Sequence, residues 1–184
     1  MRIIGITGTL GAGKGTIVDY LVKNHGFVHL SVRGYLTDII KERGLPLNRD
    51  SMVAVGNELR ANNSPSYIAE QLYEKALASG KDCIIESLRT PGEVKALQEA
   101  DDFYLFAVDA DPKVRYERVV LRGSETDKIS FEEFMANEAR EMESNDPNKQ
   151  NLQACINMAD YLIENDSTRF ILNQKIEDIL NELN

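Results

Sequence analysis

The sequence has little of what disulfide scaffolds, metal sites and membrane proteins require. Only two cysteines occur in 184 residues, and their spacing fits neither a metal site nor a secreted disulfide framework. No segment approaches the roughly 18 consecutive apolar residues of a membrane span, and no basic-then-apolar signal segment precedes the first predicted strand. We therefore expect a cytoplasmic protein in which Cys83 and Cys155 are reduced core residues.

Basic residues are also in deficit. The chain has 21 lysines and arginines against 30 aspartates and glutamates, for a net charge of −9. Because this balance repels polyanions, it disfavours nonspecific binding to nucleic acid or to an anionic membrane surface, and we expect neither partner. A protein of this charge that binds phosphate must concentrate its arginines in one place. The length suits a single domain over residues 1–184, whose oligomeric state the sequence leaves open.

The most informative segment is a glycine-rich loop at residues 8–16. It follows the apolar run at residues 3–6 and precedes residues 17–22, whose apolar positions repeat at helical spacing. A strand, a glycine-rich turn and a helix form a phosphate cradle, in which glycines let backbone N–H groups point inward and Lys14 adds a full charge. We therefore predict that the chain binds a nucleoside triphosphate. The predicted binding residues are Gly8, Leu10, Gly11, Ala12, Gly13, Lys14, Gly15 and Thr16.

This loop departs from the strict phosphate-loop pattern at one position. The pattern places Ser or Thr directly after the lysine to hold Mg²⁺, whereas this chain has Gly15 there and Thr16 one step later. The variant resembles the loop of adenylate kinase and its relatives among the nucleoside monophosphate kinases. That resemblance implies ATP and Mg²⁺ as cofactors. For Thr16 it leaves three arrangements open: direct contact with Mg²⁺, contact through water, or none.

Strands alternate with helices along the chain. The predicted strands are residues 3–6, 27–30, 82–86, 103–109 and 161–163. Among the predicted helices, one is capped by Ser31, one runs over residues 112–122, and one begins at Ser130 with Glu133 completing a capping box. The alternation predicts an α/β fold in which helices cover both faces of a five-stranded parallel sheet. Together with the loop, this is the three-layer α/β/α fold of P-loop NTPases.

Polar residues follow the strands at the edge where such sheets bind ligands. After the second strand comes Ser31-Val32-Arg33, after the third Glu86-Ser87-Leu88-Arg89-Thr90, and after the fourth Asp109-Ala110-Asp111. We therefore expect acidic side chains and arginines to meet the phosphate loop at one rim of the sheet.

Two of these segments extend the resemblance to adenylate kinases. His29-Leu30-Ser31 is similar to the start of their acceptor-binding arm, which implies a helical arm over residues 31–80. The segment from Glu86 to Thr90 resembles their acid-Gly-Phe-Pro-Arg-Thr turn, shortened by one residue. By this resemblance Arg89 binds the acceptor phosphate, a task that suits the fork of donors on a guanidinium, and Glu86 orients Mg²⁺ or its waters.

The acceptor arm also differs from that family. The arginine that adenylate kinases carry on the first helix of the arm falls at Thr37. This chain offers Arg33 and Arg60 instead. Each is a candidate for binding the acceptor and equally a candidate for an ordinary charge on a helix surface.

A basic helix precedes the predicted lid at residues 122–140. Arg118 and Arg122 lie four residues apart, so they share a helix face, and Arg115 continues the basic run. This arrangement resembles the lid base of the same kinases, where arginines neutralise the migrating phosphoryl group and exclude water. The catalytic residues that the resemblance implies are Lys14, Arg89, Arg118 and Arg122.

The acceptor is the least constrained part of the function. Residues 158–167 resemble the last strand and its exit in dephospho-CoA kinases, which usually carry an aspartate just after the second strand, where this chain has Arg33. Because a phosphate acceptor needs cations rather than a base, Arg33 favours a (deoxy)nucleoside monophosphate, although Asp38 or Glu86 could serve as a base. The alternatives are a dephospho-CoA kinase-like enzyme that phosphorylates a hydroxyl, and a noncatalytic nucleotide-binding regulator.

Overall fold

The computed structural model describes residues 1–123, 129–146 and 149–183. Within these residues five strands form one sheet, with every pair of neighbours parallel. The strands are β1 (Ile3–Gly8), β2 (Val28–Ser31), β3 (Cys83–Glu86), β4 (Phe103–Asp109) and β5 (Tyr161–Glu164). Their order across the sheet is β2-β3-β1-β4-β5. The predicted strands are confirmed, with ends displaced by at most two residues.

Helices connect consecutive strands, and a last helix follows β5. They are α1 (Lys14–His25), α2 (Val32–Glu42), α3 (Arg49–Asn62), α4 (Tyr67–Ser79), α5 (Pro91–Gln98), α6 (Pro112–Arg122), α7 (Phe131–Met142), α8 (Leu152–Asn157) and α9 (Arg169–Glu182). In the part of the chain that the structure describes, none of them combines the length and the apolar character needed to cross a bilayer.

The predicted helix starts are confirmed by their caps. The Ser31 hydroxyl accepts a hydrogen bond from the backbone N–H of Gly34 at 3.0 Å, and Ser130 forms the expected capping box with Glu133. Because these caps satisfy N–H groups that have no partner inside the helix, each fixes where its helix begins.

The two faces of the sheet bury separate cores. Alternate side chains of a strand point to opposite faces, so Ile3 and Leu105 pack with α2, α4 and α5, whereas Ile4 and Phe106 pack with α1 and α9. Cys83 and Cys155 are free and buried in the first core, as predicted. The three-layer arrangement is confirmed, and the carboxyl ends of all the paired strands meet at one edge.

Candidate active site

A large cavity opens along the carboxyl edge of the sheet, with a volume of about 1810 Å³. Pockets for one ligand measure about 300–1,000 Å³, so this cavity has room for two small molecules. Its wall contains most of the predicted site residues, namely Leu10, Gly11, Gly13, Lys14, Gly15, Thr16, Arg33, Arg60, Glu86, Arg89, Arg118 and Arg122. Gly8 and Ala12 lie behind the wall, in β1 and in the core respectively. The expected convergence of arginines on one rim is confirmed.

The glycine-rich loop has the backbone conformation of an anion-binding nest. Gly8, Gly11 and Gly13 have φ values of 134°, 80° and 105°, in the left-handed region. A Cβ on Gly11 would lie 2.5 Å from the Arg115 carbonyl oxygen, and one on Gly13 would lie 2.3 Å from the Asn165 side-chain nitrogen. These glycines are therefore required both by dihedral angle and by space. Directly after them α1 begins at Lys14, so the loop also borders a helix N-terminus.

Lys14 folds back onto the loop. Its Nζ donates to the carbonyl oxygens of Gly8 at 2.8 Å and of Thr9 at 2.7 Å. Burial, together with the nearby charge of Arg89, lowers the pKa of Lys14 to about 8, although Glu86 and Glu141 oppose this shift. The ammonium is therefore poorly solvated and lacks a close carboxylate partner among the described residues. An anion bound in the loop would supply that missing charge.

Glu86 ends β3 as an ionised carboxylate at the cavity wall. Its Oε2 lies 2.8 Å from Nε2 of His29 on β2, and this hydrogen bond, with added help from Lys14 and Arg89, lowers the pKa of Glu86. The next residue, Ser87, has a φ of 75°, a strained value for a residue that carries a Cβ. The sequence did not indicate this backbone strain.

Of the two acceptor-arm arginines, Arg60 contacts Glu93. Arg60 on α3 places Nη2 3.4 Å from Glu93 Oε1, and Glu93, which is 2% exposed, also accepts from the backbone N–H of Arg89 at 3.0 Å. The Nε of Arg60 is buried and has no hydrogen-bond partner among the described residues. The hypothesis that Arg60 is an ordinary surface charge is therefore wrong. Arg33 is exposed at the cavity wall.

The side chain of Arg89 reaches the end of α7. Its Nη1 lies 3.1 Å from Gln150 Oε1 and 3.4 Å from Glu141 Oε2.

Asp38, considered above as an alternative base, is exposed on α2 and lies outside the cavity lining. Of the two carboxylates considered as bases, only Glu86 is in the site.

The lid-base arginines lie on the other side of the loop. Arg118 and Arg122 both line the cavity. Arg118 donates from Nη2 to the Asn165 carbonyl oxygen at 2.8 Å, while its Nη1 is buried with no partner in the described residues. Of the predicted lid, residues 124–128 lie outside the described residues. Arg118 and Arg122 therefore stay predictions as catalytic groups.

Arg115 corrects the sequence-based interpretation of the basic helix. Instead of continuing the cavity-facing row, its side chain is 3% exposed and turned inward. The guanidinium donates to the carbonyl oxygens of Ala110 at 2.8 Å and of Leu10 at 3.3 Å, and binds the carboxylate of Glu138 on α7. Arg115 and the buried Val119 occupy positions i and i+4 of one helix face.

Asn165, just after β5, belongs to the site although the sequence did not indicate it. It is 6% exposed, and its Nδ2 donates to the Ala12 carbonyl oxygen at 2.8 Å. The dephospho-CoA kinase resemblance included this asparagine only as the end of a strand. No local pattern could reveal its contact with a loop that lies about 150 residues away.

Comparisons with known proteins agree with this geometry. A family model described as an AAA domain matches residues 4–146. A UPF0200 protein of Thermococcus sibiricus is 31% identical over 187 residues, which cover 98% of this chain and 95% of the relative. The chain belongs to the AAA domain family and to the UPF0200 family.

Solved structures share the fold at low sequence identity. The protein TT1252 from Thermus thermophilus has a TM-score of 0.67 at 19% identity, covering 100% of this chain and 98% of its own. A gluconokinase from Sinorhizobium meliloti has a TM-score of 0.61 at 12% identity, with coverages of 99% and 93%. A shikimate kinase from Bacteroides thetaiotaomicron has a TM-score of 0.55 at 14% identity, with coverages of 98% and 98%. These likenesses show a shared fold.

The lowered pKa of Lys14 generates a prediction for ADP binding. Lys14 loses its charge above about pH 8 in the free protein, whereas a bound phosphate favours the charged form. Binding must therefore take up a proton above pH 8, and the affinity for ADP should fall by up to about tenfold per pH unit there. Isothermal titration calorimetry from neutral pH to about pH 9.5 measures this dependence. A Lys14→Met variant should bind weakly with no such slope; an equally flat wild-type profile would contradict the assignment.

Proposed function

We propose that this protein is a kinase that transfers the γ-phosphoryl group of ATP to a small phosphorylated acceptor, with a nucleoside monophosphate as the favoured class. The observation that carries the proposal is the single cavity of about 1810 Å³ whose wall contains both the phosphate loop and the arginines Arg33, Arg60 and Arg89. Donor and acceptor phosphates can therefore meet without leaving the site, which phosphoryl transfer requires.

The loop side of the cavity suits the donor. The nest of left-handed glycines and the N-terminus of α1 provide N–H donors for the β- and γ-phosphates. Lys14 can turn from the loop carbonyls to neutralise the migrating phosphoryl group. Arg118 and Arg122, which line the same cavity, would stabilise the charge of the transition state.

The side-chain oxygens of Glu86 and Thr16 suit a Mg²⁺ ion in this cavity. Both line the cavity, and Glu86 is kept ionised by His29. Magnesium usually binds one or two protein oxygens and fills its remaining positions with water and substrate phosphates, so no larger cluster of ligands is needed. When bound, the ion would withdraw charge from the β- and γ-phosphate oxygens.

The arm side of the cavity suits an anionic acceptor. Arg60 has a buried, unpartnered Nε among the described residues, and Arg89 lies within the same wall. Guanidinium groups bind phosphate oxygens in pairs, so these two side chains can position a phosphate without a base. The position after β2 carries Arg33 rather than a carboxylate, which further supports a phosphate acceptor.

Apolar side chains next to these arginines support an acceptor with a flat ring. Val32, Leu36, Leu47 and Met52 line the cavity, together with the amide of Asn57. A wall of this kind buries a nucleobase well, whereas a polyol would leave its hydroxyls without partners.

A hydroxyl acceptor is the second candidate. The structural neighbours include a gluconokinase and a shikimate kinase, and Glu86 lies at the wall where a base would be needed. In this case Glu86 would receive the hydroxyl proton while the acceptor oxygen bonds to the γ-phosphorus, and the bond from that phosphorus to the β,γ-bridging oxygen would break to release ADP. Dephospho-CoA represents this class in the experiment below.

A coupled assay for ADP production tests the proposal. Purified protein with ATP and Mg²⁺ is supplied with a panel of ribo- and deoxynucleoside monophosphates, dephospho-CoA, gluconate and shikimate. We expect turnover stimulated by at least one monophosphate, and loss of about a hundredfold or more in Lys14→Met, because a preorganised cation at the migrating group contributes that much. Binding of ADP without any acceptor-stimulated turnover would contradict the kinase and support the noncatalytic regulator. Turnover with the hydroxyl acceptors alone would favour the second candidate.

Arg60 provides a test of the acceptor side alone. In Arg60→Lys the charge opposite Glu93 is kept but the fork of donors is lost, so KM for the acceptor should rise about tenfold to a hundredfold while KM for ATP is unchanged. Steady-state kinetics with each substrate varied measures the two constants. Arg43→Lys is the matched control, because Arg43 forms an exposed ion pair with Glu58 outside the site. Equal rises in both KM values would show general damage rather than loss of acceptor contacts.

A further inference from the structure

Two carbonyl groups of the phosphate loop accept hydrogen bonds from side chains of other segments. The Leu10 oxygen accepts a hydrogen bond from Arg115 Nη1 at 3.3 Å, and the Ala12 oxygen accepts one from Asn165 Nδ2 at 2.8 Å. Both donors come from segments that follow strands β4 and β5 rather than from the loop itself.

The geometry of the peptide bond makes these contacts relevant to phosphate binding. In a planar trans peptide the C=O of one residue and the N–H of the next point in opposite directions. Holding the Leu10 carbonyl outward therefore directs the N–H of Gly11 toward the cavity. Holding the Ala12 carbonyl on Asn165 likewise fixes the N–H of Gly13 in the opposite direction, and both glycines line the cavity wall.

Both donors are themselves fixed. The Arg115 guanidinium is held by the Ala110 carbonyl at 2.8 Å and by the carboxylate of Glu138. Asn165 is held at both ends of its backbone, because its N–H donates to the Asp109 carbonyl at 2.8 Å and its own carbonyl accepts from Arg118 at 2.8 Å. The two side chains can therefore hold the loop with little conformational freedom.

Lys14 cannot do the same during the reaction. It holds the Gly8 and Thr9 carbonyls in this structure, but an ammonium that turns to a phosphate gives up at least part of these contacts. Arg115 and Asn165 instead donate to the Leu10 and Ala12 carbonyls, so they can keep these contacts when a phosphate enters. The loop therefore depends on them for its shape in the bound state.

We propose that Arg115 and Asn165 are positioning residues that preorganise the N–H groups of Gly11 and Gly13 for polyphosphate. Neither side chain contacts the phosphate. Each acts through one loop carbonyl, so each should affect the N–H of one glycine. The inference rests on the proposed function only in placing the donor polyphosphate in this loop.

Binding of inorganic pyrophosphate to the variants Asn165→Ala and Arg115→Lys tests the proposal. Arg115→Lys keeps a positive charge opposite Glu138, which limits damage to the fold. Calorimetry should show affinity about tenfold weaker in each variant, the effect of losing one preorganised hydrogen bond. The matched controls are Asn157→Ala and Arg43→Lys, two exposed positions outside the cavity lining that should stay within about twofold of wild type.

Amide NMR separates positioning from general stability. In the wild type, pyrophosphate should shift the amide protons of both Gly11 and Gly13 downfield. Asn165→Ala should reduce the shift at Gly13 and spare Gly11, and Arg115→Lys should do the reverse. A role in stability alone would lower the melting temperature without this selectivity.

The outcomes are distinguishable from failure of the kinase proposal. Unchanged pyrophosphate affinity in both folded variants, an equal loss of both glycine shifts, or loss of folding in both variants would overturn this inference. A wild-type protein that binds pyrophosphate but transfers no phosphoryl group would overturn the kinase and leave the inference standing. A wild-type protein that binds no pyrophosphate would overturn both.

Discussion

The glycine-rich loop packs closely against β4 and the first turn of α6, and this packing positions the rest of the site. A Cβ on Gly8 would lie 2.0 Å from the Val108 carbonyl oxygen, and a Cβ on Gly11 would lie 2.5 Å from the Arg115 carbonyl oxygen. Because backbone touches backbone at these two positions, the loop is fixed against β4 and the first turn of α6, and the cavity forms where α2 and α3 face it. Every residue assigned to the site is positioned relative to that contact.

Positive charge at this site is balanced by carboxylates in a chain that is acidic overall. Arg60 faces Glu93, Arg89 approaches Glu141, and Arg115 binds Glu138. The pairs differ in whether the arginine can still direct N–H donors to a ligand. Arg115 is buried and has its donors occupied by protein, so it acts on the loop, whereas Arg60 and Arg89 line the cavity and can turn donors to a ligand. Burial therefore separates a structural arginine from the two binding candidates, although all three look alike in the sequence.

The fold and half of the site could be predicted from local patterns. The phosphate loop, the five strands and the caps at Ser31 and Ser130 are each encoded within a few residues, because strand alternation, glycine dihedrals and capping act over that range. Asn165 and the Arg60 contact with Glu93 could not be predicted, since both join segments far apart in the chain. The left-handed Ser87 was also missed, because a serine there carries no glycine-like signal. The side-chain orientation of Arg115 depends on Glu138, 23 residues away on α7.

The central claim is that the N–H groups of residues 8–16 and the Lys14 ammonium surround a polyphosphate. A crystal structure of the protein grown with ADP tests it most directly. We expect the β-phosphate to lie within the loop and to accept hydrogen bonds from the Gly11 and Gly13 N–H groups. Lys14 should have turned from the Gly8 and Thr9 carbonyls toward this phosphate. An ADP molecule bound elsewhere, with the loop empty and Lys14 still on those carbonyls, would contradict it.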